Sequence, residues 1–497
     1  MPGFDPTMLG PAVVARLREA LSTASYTVAG VSQRLGEAAH GALLRNATPA
    51  ALRATTGGDP LDTMTRLFAL QVPVPRRAVD RALPGLLGPL VTGGVLETAG
   101  EEVRASIDVR PYGDETHDWW VVSDLTPGLD GSKARIAADH VLGVSPASTS
   151  LAQLTVRDPV GSALDLGTGC GVQALHLRQH AARVVATDVN ARALAMAALT
   201  ASLNGVAYDL RAGSLYEPVN GEAYDLITSN PPFVVGPPVP EPLIYRDSGL
   251  PGDEVVRRIV TGAPAQLRSG GWCQVLANWA HHADEPWQER VAGWVESTGC
   301  DAWVLQRETA DLPTYVEMWL ADAGLLGAPG YHSRYDVWMS WFEQQGIEAV
   351  GFGWLCLHNA GREASVVRIE DWPYDIEQPL WPHIADWARR ADLLTRLSDR
   401  ELLETCLRRR PHVVQETRGE PGAADPELIV LRQQAGVRRA RRVDTVEAAL
   451  VGACDGDLGV GQVLDALATL LERDTAELRT RYVPVVRDMV AEGWLDE

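Results

Sequence analysis

Leu164-Asp165-Leu166-Gly167-Thr168-Gly169-Cys170-Gly171 is a short apolar run that meets three glycines at alternate positions. Ser162–Leu166 reads as a buried strand and Val172–His180 as a helix, so the glycines occupy a strand-to-helix turn. Glycine there lets the backbone turn tightly and lets a ligand approach the helix start without meeting a Cβ. The next apolar run, Arg183–Asp188, ends on an acid 21 residues beyond Gly167. A carboxylate at that place accepts both hydroxyls of a ribose. The spacing is GxGxG, not GxGxxG, and Asp165 stands just before it. That carboxylate disfavours a diphosphate and tolerates a cationic amine. The loop therefore points to a ribonucleoside without pyrophosphate.

Outward from this turn, strands and helices alternate. Tyr224–Ser229 and Cys273–Asn278 are further buried strands, with helices at Ala191–Asn204 and Asp253–Leu267. Ala302–Leu305 and Ala349–Cys356 add β-like runs, interleaved with helical patterns at Thr314–Ala323 and Tyr335–Gln345. This order predicts an α/β fold with a doubly wound, mostly parallel sheet over residues 118–370. Residues 1–117 read as helices followed by a hairpin at Gly93–Ile107, a winged-helix-like pattern. Residues 371–442 form an arginine-containing connecting region, and residues 443–497 a small helical, winged-helix-like domain.

After the strand Tyr224–Ser229 comes Asn230-Pro231-Pro232-Phe233. Two prolines cannot continue a helix or donate ladder hydrogen bonds, so they fix the chain as it leaves the sheet. They do so at the C-terminal edge, where α/β ligand sites lie. The Asn230 side chain and the Pro231 carbonyl present two acceptors side by side. Such a pair suits an exocyclic NH2 or a primary amide, whose lone pair is freed when both hydrogens are held. Phe233 offers a face on which a planar group stacks.

Together these residues resemble the class I S-adenosylmethionine-dependent methyltransferases, in particular the small-domain amino-methyltransferases that modify rRNA guanine N2 or release-factor glutamine. The resemblance covers residues 138–280 and extends loosely to 370. It implies a seven-stranded Rossmann-like sheet and S-adenosylmethionine as cofactor. It also implies that Asp165, Gly167, Thr168, Gly169 and Gly171 cradle the methionine part and that Asp188, followed by Asn190, holds the ribose. Ser214 would stand near the adenine, where many relatives have Asp, and Asn230 would face both cofactor and acceptor. Asp139–Ser145 falls where the family lines the cofactor site. Phe233 matches the rRNA enzymes, whereas Tyr245-Arg246-Asp247 followed by Gly249-Leu250 is similar to the loop of the glutamine enzymes.

The chain carries 44 basic and 65 acidic residues, a net charge of -21. The four segments contribute -3, -11, +1 and -8, so only residues 371–442 offer a basic footprint, through Arg408–Arg410 and Arg438, Arg439, Arg441 and Arg442. Six scattered cysteines without a CxxC predict reduced thiols in a cytoplasmic protein. No apolar run suits a membrane span, and the N-terminus lacks the pattern of a secretory signal. No HExxH or clustered Cys/His spacing calls for a metal. His281-His282 reads better as a loop pair than as a proton relay, and Trp119-Trp120, Trp338 and Trp341 as packing. The expected reaction is methyl transfer to a planar nitrogen of a macromolecule, an RNA base ahead of a protein glutamine. A cofactor-sensing nucleic-acid-binding regulator is the reading from another class.

Overall fold

The computed structural model describes residues 4–114, 116–131, 136–238, 243–421 and 426–497. The chain divides into two compact units, residues 1–152 with 157–372, and residues 153–156 with 373–497.

The first unit is built on the sheet that the alternating pattern predicts. Its strands are β1 (Val160–Leu166), β2 (Ala181–Asp188), β3 (Asp209–Ala212), β4 (Tyr224–Ser229), β5 (Leu267–His282), β6 (Asp301–Asp311), β7 (Ile347–His358) and β8 (Val367–Asp371). They lie in the order β8-β6-β7-β5-β4-β1-β2-β3. The pairs from β3 to β5 are parallel, whereas β7 runs antiparallel to both β5 and β6. The inner strands are buried on both faces, which is why they read as unbroken apolar runs. Eight strands are present where seven were expected. Val367–Asp371 adds in parallel to the outer side of β6, pairing backbone groups that would otherwise form an edge. The short edge strand Asp209–Ala212 also escaped the sequence reading, because four half-exposed residues carry little periodicity.

The helices fall where the sequence places them, with shifted ends. Val172–Leu177 follows the glycine turn, Ala191–Asn204 follows β2, and Glu254–Gly262 precedes β5. At the N-terminus, Pro11–Thr23 and Val28–Leu43 open a set of short helices. The expected hairpin forms at Leu96–Ala99 and Glu102–Ala105, and Val74–Pro75 joins it as a third strand.

A second hairpin, Asp108–Gly113 with Asp118–Ser123, was not anticipated. It is soldered to the helix Ala191–Asn204. Trp120 N–H donates to Asn204 Oδ1 at 3.0 Å, and Asn204 Nδ2 returns to Trp120 O at 2.8 Å. Val122 N–H donates to Thr200 Oγ1 at 3.0 Å. A single apolar core runs from Leu17, Tyr26 and Phe68 through Trp120 to Met196 and Leu203. The N-terminal helices thus share a core with the helical layer of the sheet.

In the second unit, helix Trp381–Arg396 precedes an antiparallel sheet of Val413–Arg418, Leu428–Gln433 and Ala440–Val443. Helices Thr445–Ala453, Val460–Leu470 and Thr475–Glu492 follow, around a core that includes Trp494. The arginine-containing stretch is therefore two helices followed by short strands, with Arg408, Arg409, Arg441 and Arg442 on strands.

Replacing Asn204 with Ala strands one buried donor and one acceptor of Trp120, at a cost of about 1–3 kcal/mol. The expected outcome is a matching loss in urea unfolding followed by tryptophan fluorescence. A loss below about 0.5 kcal/mol would show that the hairpin does not depend on this helix.

Candidate functional site

The C-terminal ends of β1, β2 and β4 open onto one cavity of about 210 Å³. Register decides what meets there. Leu166 pairs with Thr187 of β2 on one side and with Ser229 of β4 on the other. The next residues out of each strand are Gly167, Asp188 and Asn230, and all three line the cavity. Ser229 Oγ donates to Leu166 O at 2.7 Å and pins the two strand ends together.

The glycine turn is built as the spacing requires. Gly167, Gly169 and Gly171 have φ of 79°, 55° and 84°, a region that disfavours side chains. A Cβ on Gly167 or Gly169 would meet nothing within 4 Å, so backbone conformation, not crowding, calls for glycine at these two places. Asp188 holds the turn. Its Oδ2 accepts Gly169 N–H at 2.9 Å and its Oδ1 accepts Asn190 N–H at 2.8 Å. Burial raises the Asp188 pKa against these backbone hydrogen bonds. Each oxygen keeps a lone pair for a hydroxyl. Asn190 caps the next helix by accepting Arg192 N–H at 2.9 Å and donates to Asp139 O at 2.8 Å.

Asp165 is fully buried and does not line the cavity. It lies under the turn, where its Oδ2 accepts Thr168 Oγ1–H at 2.6 Å and Ala174 N–H at 3.1 Å. Its Oδ1 has no partner among the described residues. Burial pushes its pKa up to about 7, and the nearby Asp188 adds to the rise. The side chain of Thr168 is spent on this contact, while its backbone lines the site. Ser214 lines the cavity with an exposed side chain.

Asn230, Pro231 and Pro232 form one wall of the cavity. The Asn230 amide makes no hydrogen bond among the described residues, whereas Ser145, Gln173, Asp188, Asn190 and Ser229 are all engaged. Phe233 is not part of the cavity lining. It bridges to Asp247 and packs partly buried on the central core. Asp247 accepts Leu243 N–H at 2.8 Å and so serves the loop. His281 donates its Nε2–H to Gln306 Oε1 at 2.7 Å and lies outside the cavity lining.

Sequence reading missed the apolar wall formed by Val189, Leu215, Leu250, Val255 and Ile259. Val255 and Ile259 are four apart on one helix, a signal that reads equally as core. From the other side, His140–Gly143 and Ser145 line the cavity, in the segment the resemblance indicated. Among the described lining residues none is Lys or Arg. A planar base, a ribose and a cationic amino acid fit such a wall.

Comparison with known proteins agrees with this geometry. The model of the methyltransferase small domain matches residues 143–292. This segment is thus similar to the methyltransferase small domain family. Two families described as domains of unknown function match residues 23–106 (DUF7059) and 385–497 (DUF7782). The chain is similar to a release factor glutamine methyltransferase of Xylella fastidiosa, 40% identical over 126 residues, 23% of this chain and 46% of the relative. It is also similar to a ribosomal RNA small subunit methyltransferase C of Klebsiella pneumoniae, 35% identical over 24% of this chain and 31% of the relative. The chain spans about half the length of the first curated relatives it matches. A solved 16S rRNA N2 G1207 methyltransferase of T. thermophilus aligns at 18% identity and a TM-score of 0.27, over 51% of this chain and 66% of its own. Among the described residues, no group of three or more His, Cys, Asp or Glu is placed to hold a metal, and no helix is long and apolar enough to cross a membrane.

The small domain carries a built-in pH dependence at Asp165. Its folded pKa lies above the unfolded value near 4, so the folded chain keeps a proton that the unfolded chain has released. Stability from this group therefore falls as pH rises from about 4 to about 7 and is flat above. The Asp165→Asn variant is expected to lack that fall. The check is the difference in Tm between wild type and variant at pH 5 and pH 8, which should move in the variant's favour at pH 8. A difference independent of pH would refute the assignment.

Proposed function

We propose that the methyltransferase small domain binds S-adenosylmethionine and directs its methyl to a planar amino or amide nitrogen of a macromolecule. The observation that carries this reading is the unengaged Asn230 amide beside Pro231, one strand away from the glycine turn and two from Asp188. When bound, the cofactor supplies an electrophilic methyl on a sulfonium. The chain's part is binding and orientation. Asp188 accepts the ribose hydroxyls, the glycine turn leaves room for the methionine part beside it, and the apolar wall of Leu215, Leu250, Val255 and Ile259 takes the adenine. Asn230 Oδ1 and the Pro231 carbonyl accept the two N–H groups of the acceptor, which turns its lone pair toward the methyl. Positioning of this kind is the main catalytic effect. The methylated nitrogen then loses its proton to solvent.

A protein amide suits the site better than an RNA base. Phe233 packs against the core and not along the cavity, so the expected stacking face is absent from the lining. Of the arginines in the basic segment, Arg410 pairs with Asp386 and Asp496, and Arg441 with Glu492. Neutralised side chains contribute little to phosphate binding. Exposed Arg408, Arg409, Arg438 and Arg442 favour RNA as the second reading. The named relatives include enzymes of both kinds, which supports a macromolecular acceptor in a cytoplasmic setting.

Purified protein with methyl-labelled S-adenosylmethionine and extract from a strain lacking the gene separates these readings. Protease-sensitive label supports the amide acceptor, ribonuclease-sensitive label the base. Absence of label in any macromolecule, with the cofactor bound, would replace both with a sensor. Asn230→Ala is expected to lower turnover by about 10²–10³-fold while the cofactor Kd changes little. Asp188→Ala is expected to weaken cofactor binding about tenfold or more, read by calorimetry. Retained turnover in Asn230→Ala would remove that side chain from the mechanism.

A further inference from the structure

Strands β6 and β7 are antiparallel neighbours, paired as far as Asp311 with Ala349. A turn of a few residues suffices to join such a pair. Instead the chain departs into two helices, Leu312–Asp322 and Tyr331–Gln345. The excursion is firmly made. Asp311 caps its start by accepting Thr314 N–H at 2.8 Å, and Gly346, at φ 65°, ends it.

The two helices do not close a core of their own. Tyr315, Val316, Leu320, Trp338 and Phe342 pack together with Val234 and Val235, the residues directly after Asn230–Phe233. The buried Tyr315 hydroxyl accepts Val235 N–H at 2.8 Å and Asn278 Nδ2–H at 3.3 Å. A Cβ on Gly236 would approach the Trp338 ring to 2.8 Å, so the chain passes flat against the excursion there.

The far side of the same loop is gripped again. Arg246, almost fully buried, donates to Trp319 O at 2.5 Å and lies over the Trp319 ring at 5.8 Å. Tyr245 donates its hydroxyl to Asp322 Oδ2 at 2.7 Å. Its ring lines the cavity and meets the His140 ring edge-on at 6.0 Å. Ile244 N–H donates to Ala138 O at 3.0 Å. The loop thus runs from the helical excursion to the His140 segment and roofs the cavity from one wall to the other.

We propose that Tyr245 and Asp322 are positioning residues through which the helical excursion holds the roof of the cavity closed over the bound cofactor. Neither touches the reacting atoms. Asp322 acts through Tyr245, and Tyr245 acts through the contact with His140 that joins the two halves of the roof. Loss of the Tyr245–Asp322 bond leaves Arg246 as the remaining grip of residues 243–250 on the excursion. Asp322→Ala also removes the Arg246–Asp322 ion pair at 3.6 Å. The Ile244–Ala138 bond then opens more often and the cofactor leaves sooner.

Two measurements test this, and the second rests on the cofactor reading above. In the protein without ligand, amide hydrogen exchange of residues 243–250 is expected to quicken roughly tenfold in Asp322→Ala and in Tyr245→Phe. With S-adenosylmethionine, stopped-flow release is expected to quicken by a similar factor, while Asp322→Asn, which keeps an acceptor, restores most of the loss. Val337→Ser, on the exposed outer side of the excursion, is the control and should change neither. Unchanged exchange in either folded variant overturns the inference, whether or not the cofactor binds. Quickened exchange with unaltered release overturns the coupling to the cofactor. Wild-type protein that does not bind S-adenosylmethionine defeats the cofactor reading, and the exchange result then decides the roof by itself.

Discussion

Leu166 sits between Thr187 and Ser229 in a parallel ladder, and the site depends on that one placement. Parallel strands end together at the same sheet edge, so each strand delivers its following residue to the same row. Because β1 is flanked by β2 and β4, the chain crosses from one side of the sheet to the other at this strand, and a crevice opens there. The glycine turn, the Asp188 carboxylate and the Asn-Pro-Pro turn then face one cavity without long loops. A shift of one residue in any of the three strands would turn Asp188 or Asn230 into the sheet's other face.

Charge is disposed around this row according to burial. Asp188 sits at the rim with its carboxylate held by two backbone N–H groups, so it meets a ligand already oriented. Asp165 sits beneath the same turn with one oxygen unpartnered, where burial favours its protonated form. Both acids stand at the C-terminal ends of neighbouring strands in the sequence, one just before the glycines and one 21 residues beyond Gly167. Their roles separate because one is below the backbone of the turn and the other beside it.

Elements outside the sheet act on the site through shared packing. Asn204 and Thr200 fasten the hairpin 108–123 to the helix after β2, and Arg192 on that helix pairs with Asp124, whose carboxylate also accepts Val141 N–H. The His140 segment is thereby held from the N-terminal side. The excursion between β6 and β7 holds the opposite loop through Tyr315, Trp319 and Asp322. Both walls of the cavity are positioned by parts of the chain that contribute few atoms to its lining.

Motif and periodicity by themselves determined the α/β class, the strands that flank the glycine turn, and the meeting of Gly167, Asp188 and Asn230 at one sheet edge. Those readings succeed because they rest on local backbone demands: positive φ at glycine, fixed φ at proline, and unbroken apolar runs in strands buried on both faces. Tertiary structure alone decided that Asp165 lies under the turn, that Phe233 packs into the core, that an eighth strand completes the sheet, and that residues 312–346 reach back to the loop after the Asn-Pro-Pro turn. Each of these depends on a contact between residues far apart in the chain, such as Tyr245 with Asp322, and side-chain direction across such distances leaves no periodic trace in the sequence.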